Sequence, residues 1–229
     1  TSTIETPAGV VTIHSPLIGV FNLENLLCAV GAGVALKLTI EVIEQGLASA
    51  NRVPGRLERV ENDLGALIVV DYAHTGDALA KALEAVAALK PQRIITIFGC
   101  GGDRDKLKRP AMGEVAGRYS HLSIVTSDNP RTEKPAQIID DICVGIDRIC
   151  SRLELDADFD RSGKGYVVIE DRHEAIVYAV NQLRAGDLLM IAGKGHEDYQ
   201  VVGTKKIHFD DREQVKMALQ QRKQRETTS

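Results

Sequence analysis

The chain has 229 residues, of which 44% are hydrophobic and 26% are charged, and its formal net charge is −4. This length and composition are typical of a soluble globular protein with one large domain or two smaller ones. The slightly acidic balance argues against general affinity for nucleic-acid phosphates. No apolar run approaches the ~20 residues that span a bilayer, so membrane insertion is not expected.

The N-terminus and the cysteines favour a reducing, cytoplasmic location. The first residues, TSTIETPAGVV, lack the basic and then apolar order of a signal peptide. The chain also starts without a methionine, which leaves open that it is a fragment of a longer protein. The cysteines form no CxxC pair and no zinc spacing, so free thiols are expected. They are Cys28, Cys100, Cys143 and Cys150.

The first fifty residues predict a small unit of strands and helices. A short strand pair is expected near 4–13, followed by helices over 22–36 and 39–50. The sequence NRVPG at 51–55 interrupts this pattern and places a boundary after residue 53. Because fifty residues are few for an independent domain, the segment 1–53 is expected to complete a domain that lies upstream.

From residue 64 onward, short apolar strands alternate with amphipathic helices. Helical spacing of apolar residues predicts helices over 77–89, 135–149 and 172–184. Strands that are apolar on both faces and are separated by helices indicate a doubly wound α/β fold with a mainly parallel sheet. The strand candidates are 67–72, 93–99, 121–126, 166–170 and 187–193.

An acidic stretch at 151–165, SRLELDADFDRSGKG, resembles the start of a calcium loop in the spacing of Asp156, Asp158 and Asp160. Arg161 stands where such a loop requires glycine, and Val167 stands where it requires glutamate. An exposed acidic loop is therefore the favoured interpretation.

A polar cluster follows each of the predicted strands. In an open parallel sheet, ligands bind beyond the carboxyl ends of the strands. Turn formation or helix capping could explain each cluster alone. Arginines, a lysine, histidines and several acids gathered at one edge predict a binding site instead. The clusters are Asp71–Thr75, Gly99–Asp105, Asp128–Arg131, Glu170–Arg172 and Gly193–Glu197.

The glycine-rich cluster GCGGDRD does not indicate a nicotinamide site. Arg104 occupies the position where the dinucleotide fingerprint requires its third glycine. The chain also contains no GxxxxGK[ST] phosphate loop.

Six ordered motifs, FNLEN, GRLE, DYAHTGDAL, FGCGGDRDKLKRP, SDNPRTEKP and AGKGHEDYQ, span nearly the whole chain. Their order resembles the carboxyl-terminal part of the Mur ligases, above all of the members that add meso-diaminopimelate. The resemblance implies that 1–53 is the tail of the central ATP-binding domain and 54–229 a Rossmann-like domain that binds the incoming amino acid. One departure is Gly76, where the family usually has proline.

The resemblance implies an ATP-dependent amide ligase of peptidoglycan precursor synthesis, and so a role in cell shape and division. ATP would phosphorylate the γ-carboxylate of UDP-N-acetylmuramoyl-L-alanyl-D-glutamate, and the amine of meso-diaminopimelate would attack the acyl phosphate. The phosphate loop, the carbamylated lysine and the Mg²⁺ ligands of the family belong to the earlier part of the central domain. This chain alone is therefore expected to be inactive, and no catalytic residue is assigned within it.

The resemblance also assigns binding residues. For ATP, Asn25 would hold adenine, Arg56 would touch the terminal phosphates, Asp71 would bind the ribose hydroxyls and His74 would lie near the nucleotide. For meso-diaminopimelate, arginine forks suit the far carboxylate, while Gly193 and Glu197 can accept from the far ammonium. The residues predicted to bind this amino acid are Arg104, Asp128, Asn129, Arg131, Gly193 and Glu197.

Three alternatives remain at this stage. A lysine-adding sibling ligase shares the mechanism but takes another amino acid. A ligase similar to folylpolyglutamate synthase is more distant, because the DNPR and GKGHE motifs fit it less well. A non-catalytic module that binds a nucleotide or an amino acid is favoured if this chain is the whole protein.

Overall fold

The structure is a computed structural model that describes residues 1–155 and 163–228. The N-terminal part contains the expected strand pair, β1 (Ser2–Thr6) and β2 (Gly9–Ile13), and two helices, α1 (Val20–Ala35) and α2 (Ile40–Ser49). These elements have a small apolar core of their own, because each presents one apolar face to the others. Its buried members are Val11, Ile13, Leu26, Val30, Ile43 and Leu47.

The rest of the chain is built on a central sheet that has seven strands within the described residues, in the order β3-β4-β9-β5-β6-β8-β7. Strand β3 pairs antiparallel with β4, and the remaining neighbours are parallel. The strands are β3 (Glu58–Val60), β4 (Leu67–Asp71), β5 (Ile94–Phe98), β6 (Leu122–Val125), β7 (Ser151–Arg152), β8 (Gly165–Val168) and β9 (Leu188–Ala192).

Helices cover both faces of this sheet, which confirms the Rossmann-like, doubly wound fold. Helices α3 (Gly76–Ala87), α4 (Lys108–Tyr119) and α5 (Pro135–Ile146) pack on one face, and α6 (Arg172–Gln182) and α7 (Asp211–Thr228) on the other. Successive strand residues alternate between the two cores, as the pleat requires. In β4, Val69 faces the first core, whereas Ile68 and Val70 face the second.

Helix α4 has no counterpart among the sequence predictions, because it buries small residues and an arginine instead of an aliphatic stripe. A Cβ added at Gly113 would lie 2.4 Å from the carbonyl oxygen of Ile142, and one at Gly145 would lie 1.9 Å from that of Pro110. These glycines therefore allow α4 and α5 to approach closely.

The hairpin of β10 (Tyr199–Val202) and β11 (Lys205–His208) and the helix α7 were also not predicted. Asp156, Asp158 and Asp160 lie outside the described residues, so the interpretation of the acidic loop stays a prediction. The domain boundary after residue 53 also stays a prediction. Within the described part of the chain, no helix is both long and apolar enough to cross a membrane.

Candidate functional site

The first candidate site is a cleft of about 400 Å³ between α1 and the start of α3. It brings together three of the residues predicted to bind ATP, namely Asn25, Arg56 and Asp71. The full lining is Phe21, Asn22, Asn25, Val53, Arg56, Asp71, Ala78, Lys81 and Ala82. The structure therefore brings residues from three separate segments into one cleft, and their role in ATP binding stays a prediction.

Asp71, at the end of β4, fastens the backbone around this cleft. One carboxylate oxygen accepts a hydrogen bond from the amide of Leu57 and the other from the amide of Ala73, both at 2.8 Å. Burial raises the pKa of Asp71, while these two bonds and the charge of Arg56 oppose the rise. A carboxylate oxygen can accept more than one bond, so Asp71 retains acceptor capacity toward the cleft.

Arg56 and Asn25 are exposed at the cleft, whereas neighbouring Asn22 is buried and donates to the carbonyl of Ile18 at 2.8 Å. The Arg56 guanidinium lies 5.4 Å from the centre of the Tyr72 ring, within the range of a cation–π contact. The Arg56 guanidinium is therefore exposed at the cleft and rests over the Tyr72 ring.

The second candidate site is a cavity of about 460 Å³ at the carboxyl edge of the sheet. All six residues predicted to bind the amino acid line it. His74 also lines this cavity and not the first cleft, and its Nδ1 lies 2.8 Å from the carbonyl oxygen of Tyr72. Its assignment to the nucleotide stays a prediction. The lining is Tyr72, His74, Thr75, Gly101, Arg104, Asp105, Lys108, Asp128, Asn129, Arg131, Gly193, Glu197 and Tyr199.

The fourth polar cluster, Glu170–Arg172, does not reach this cavity, contrary to the expected convergence of all five. The Arg172 side chain is fully buried and makes two 2.8 Å bonds to the carboxylate of Asp211, at the start of α7. The same guanidinium donates to the carbonyl of Ala192 at 3.0 Å. Arg172 therefore joins α6, α7 and β9 in the core.

Two loops interlock at the cavity. The amide of Gly102 donates to the carbonyl of Asn129 at 2.9 Å, and Arg131 Nη1 donates back to the carbonyl of Gly102 at 2.9 Å. A Cβ added at Gly102 would lie 1.9 Å from the carbonyl oxygen of Pro130, so only glycine fits there. Arg131 itself has a φ of 52°, a left-handed conformation that is uncommon for a side-chain-bearing residue. The hydrogen bonds between the two loops hold Arg131 in this conformation and so fix the backbone position from which its side chain extends.

Further polar contacts join the same two loops behind the cavity. Glu133 accepts from the amide of Asp103 at 2.6 Å and forms an ion pair with the fully buried Arg109 at 2.8 Å. Hydrogen bonding to Arg109 is the main reason why the pKa of Glu133 falls to about 2. Asp103 in turn accepts from Thr132. The loop that carries Arg104 is thus tied to the turn that carries Arg131.

The family model described as "Mur ligase, glutamate ligase domain" matches residues 55–195. The chain belongs to this family. A UDP-N-acetylmuramoyl-L-alanyl-D-glutamate–2,6-diaminopimelate ligase from Geobacter metallireducens is 56% identical over 223 residues, covering 96% of this chain and 43% of the relative. A ligase of the same name from Gloeobacter violaceus is 50% identical and covers 97% of this chain and 43% of that relative. The chain thus spans less than half the length of these relatives.

A solved structure of a ligase with this name has a TM-score of 0.67 and 38% identity, covering 96% of this chain and 42% of that chain. A folylpolyglutamate synthase from Mycobacterium tuberculosis, complexed with ADP and AMPPCP, has a TM-score of 0.59 at 20% identity. It covers 81% of this chain and 40% of that chain. At this identity the likeness to the synthase concerns the fold alone.

Several residues of this Mur ligase chain line the two sites but were not singled out from the sequence. Lys81 lies at the first cleft with Ala78 and Ala82, and this i, i+3, i+4 spacing on α3 was a signal that could have found it. Lys108 opens α4 and donates to the carbonyl of His74 at 2.8 Å. No local pattern placed it at the cavity, because α4 itself was not predicted.

Proposed function

We propose that this chain forms part of an ATP-dependent ligase that adds meso-diaminopimelate to UDP-N-acetylmuramoyl-L-alanyl-D-glutamate in the cytoplasm. The observation that carries the proposal is the second cavity, where cations and anions of the chain lie side by side. Arg104, Lys108 and Arg131 line it together with Asp128 and Glu197. The 56% identity to a relative named for this activity supports the choice of substrate.

The cavity suits the far end of meso-diaminopimelate, which carries one carboxylate and one ammonium. The guanidinium groups of Arg104 and Arg131 would bind the carboxylate, since a planar fork can make two parallel hydrogen bonds to it. Glu197 and the carbonyl of Gly193 would accept hydrogen bonds from the ammonium. With the far end held in this way, the near amine is positioned for attack, and such positioning lowers the barrier of a bimolecular reaction.

The ATP cleft would hold the nucleotide through Asn25, Arg56 and Asp71, in the roles that the family resemblance implies. Tyr72 lies between the two sites, because its ring contacts Arg56 and also lines the amino-acid cavity. The nucleotide and the amino acid would therefore bind on either side of Tyr72, which directly follows β4. This arrangement fits a reaction in which the amine attacks a carboxylate activated by ATP.

Magnesium would neutralise charge on the phosphates of ATP in such a reaction. Among the residues that the structure describes, no group of three or more His, Cys, Asp or Glu could hold a metal ion. The residues at hand thus do not fit a Mg²⁺ site. The metal ligands stay assigned to the earlier part of the central domain.

The test compares meso-diaminopimelate with lysine, which lacks the far carboxylate, as substrates of the complete ligase. Arg131→Ala should lower kcat/KM for meso-diaminopimelate severely and lower the poor lysine activity much less. A site built around a polar partner can reject an analogue that lacks it by up to ~10⁴–10⁵-fold. Arg131→Lys should restore little, because an ammonium cannot form the two-bond fork.

The alternatives predict different results. A lysine-adding ligase would prefer lysine before any substitution. A non-catalytic binding module would bind the amino acid without forming an amide in the complete protein. Equal losses for both amino acids in Arg131→Ala would show that Arg131 supports folding or general catalysis and not selectivity.

A further inference from the structure

Lys194 is a buried cation next to the proposed amino-acid site, and neither the family resemblance nor the proposed function assigns a role to it. It lies between Gly193 and Gly195, directly after β9, and its side chain has no exposed surface. Its ammonium lies 2.7 Å from the carbonyl oxygen of Tyr199 and 3.2 Å from Asp128 Oδ1. A charge buried this deeply requires such partners, so the position of the ammonium is strongly fixed.

The third partner of Lys194 is Asn129 Oδ1, at 3.2 Å. The same oxygen accepts from the backbone amide of Val201 at 2.9 Å. An ammonium and a backbone N–H group can only donate, so the Asn129 atom that faces both must be the oxygen. The amide nitrogen of Asn129 then points the other way, where it donates to Glu197 Oε2 at 3.1 Å.

The orientation of this amide decides which ligand group Asn129 can bind. Its NH₂ group has two hydrogens, and the bond to Glu197 uses one of them. Asn129 and Glu197 both line the cavity. Because the oxygen of Asn129 already accepts two bonds, its side chain presents a donor to the cavity. A donor suits a carboxylate and does not suit an ammonium.

We propose that Lys194 is a positioning residue that turns the Asn129 amide so that it donates to the far carboxylate of the bound amino acid. This inference rests on the proposed function and deepens it. It divides the site into a carboxylate side, formed by Asn129 with the arginines, and an ammonium side, formed by Glu197. Without Lys194, the oxygen of Asn129 would keep only the amide of Val201 as a donor, so the side-chain amide would be held less firmly in this orientation.

Two analogues of meso-diaminopimelate test the carboxylate side and the ammonium side separately. Lysine keeps the far ammonium and lacks the far carboxylate, whereas 2-aminopimelate keeps the far carboxylate and lacks the far ammonium. The affinity of the complete ligase for all three amino acids can be measured by NMR titration. In the unsubstituted chain, the Asn129 side-chain NH₂ resonances should shift with meso-diaminopimelate and 2-aminopimelate but not with lysine.

Lys194→Met should weaken binding of meso-diaminopimelate and 2-aminopimelate by about ten- to a hundredfold, the range for one hydrogen bond to a charged group. Lysine binding should stay unchanged. Lys205→Met is the matched control, because it removes the same charge from an exposed position on the nearby β11. It should leave all three affinities unchanged.

Asn129→Asp provides a second variant that keeps Lys194 and its ion pair, which guards against a folding defect in Lys194→Met. The aspartate retains an oxygen toward Lys194 and Val201 but has no donor, so it should lose 2-aminopimelate affinity and gain relative affinity for lysine. Equal changes for all ligands in both variants, or none, would overturn the inference. If the unsubstituted complete ligase binds neither meso-diaminopimelate nor 2-aminopimelate, the proposed function fails; if it binds both and Lys194→Met leaves these affinities unchanged, the inference alone fails.

Discussion

Gly101→Ala offers a way to displace the Arg131 guanidinium without altering Arg131 itself. A Cβ added at Gly101 would lie 2.8 Å from Arg131 Nη1, whereas ordinary contact begins at 3.4 Å. Its other neighbours, at 3.8 Å and 3.9 Å, are in ordinary contact. The end of a long side chain can move by this amount at little cost. The fold should therefore tolerate the substitution while the guanidinium shifts and its 2.9 Å bond to the carbonyl of Gly102 lengthens.

We expect this shift to impair binding much more than stability. Misplacing one charge-assisted contact costs ~1.5–3 kcal/mol, which corresponds to about a ten- to hundredfold loss of affinity for meso-diaminopimelate. Stability should change by less than ~1 kcal/mol, because Gly→Ala also restricts the unfolded chain. Lysine, which has no far carboxylate for Arg131, should bind Gly101→Ala as it binds the unsubstituted chain.

Gly102→Ala is the matched control with the opposite expectation. Its Cβ would lie 1.9 Å from the carbonyl oxygen of Pro130, which is backbone and cannot turn aside. The two interlocked loops would have to separate, at a cost of ~1–3 kcal/mol or more. In a protein of this size, 1 kcal/mol lowers Tm by ~2–4 °C. Gly102→Ala should therefore lower the stability of the protein and weaken the binding of both meso-diaminopimelate and lysine.

Calorimetric titration of both amino acids and urea unfolding of both variants provide the test. The reasoning is refuted if Gly101→Ala destabilises the chain as much as Gly102→Ala does. It is also refuted if Gly101→Ala binds meso-diaminopimelate with unchanged affinity.

Two further predictions concern ion pairs of the fold. Glu133 has a pKa near 2, below the usual 4.5, chiefly because it accepts hydrogen bonds from Arg109. The ionised Glu133 carboxylate therefore stabilises the fold fully above about pH 4.5, and this stabilisation is lost as the pH falls toward 2. In Glu133→Gln, the free energy of unfolding measured in urea should depend less on pH over that range. Arg172→Met leaves Asp211 buried without its partner and should cost ~3–5 kcal/mol. By the same assay, Arg148→Met at an exposed ion pair should cost ~0–1 kcal/mol, and similar losses for both arginines would contradict this account.

The elements that could be predicted from the sequence are those whose burial follows a simple period. Leu79, Leu83 and Val86 share a face of α3, and all three are fully buried. The strands of the parallel sheet are apolar on both faces because helices cover both. Helix α4 breaks this rule, since its close packing on α5 depends on Gly113 and Gly117, which carry no hydrophobic signal.

The missed hairpin had a local signal. Gly203 and Thr204 separate two short strands that pair from Val202 and Lys205 outward, and a two-residue turn that starts with glycine is typical of a tight hairpin. Its role at the site could not be predicted, because Arg131 pairs with Val202 across a long stretch of chain. Such contacts leave no periodic trace in the sequence.

The predicted binding residues differ in how firmly other parts of the protein hold their side chains, and this difference affects how the site would work. Asn129 and Asp128 are only 5% and 6% exposed, and hydrogen bonds from distant segments hold them. Arg104, by contrast, is exposed, and its hydrogen bond goes to the carbonyl of the adjacent Asp103. A fixed group loses little conformational entropy when a ligand binds, whereas an exposed arginine side chain with few contacts loses more.

The fixed side chains of Asn129 and Asp128 would therefore be suited to distinguishing which groups the amino acid carries, because a wrong group leaves buried polar atoms unpaired. The exposed Arg104 side chain would be suited to closing over a ligand that already fits. This difference between fixed and exposed side chains would explain why the polar groups around Asn129 make so many hydrogen bonds within the protein. Those contacts would keep donors and acceptors aimed before a substrate arrives, so that selectivity would not depend on the exposed Arg104 side chain finding its place.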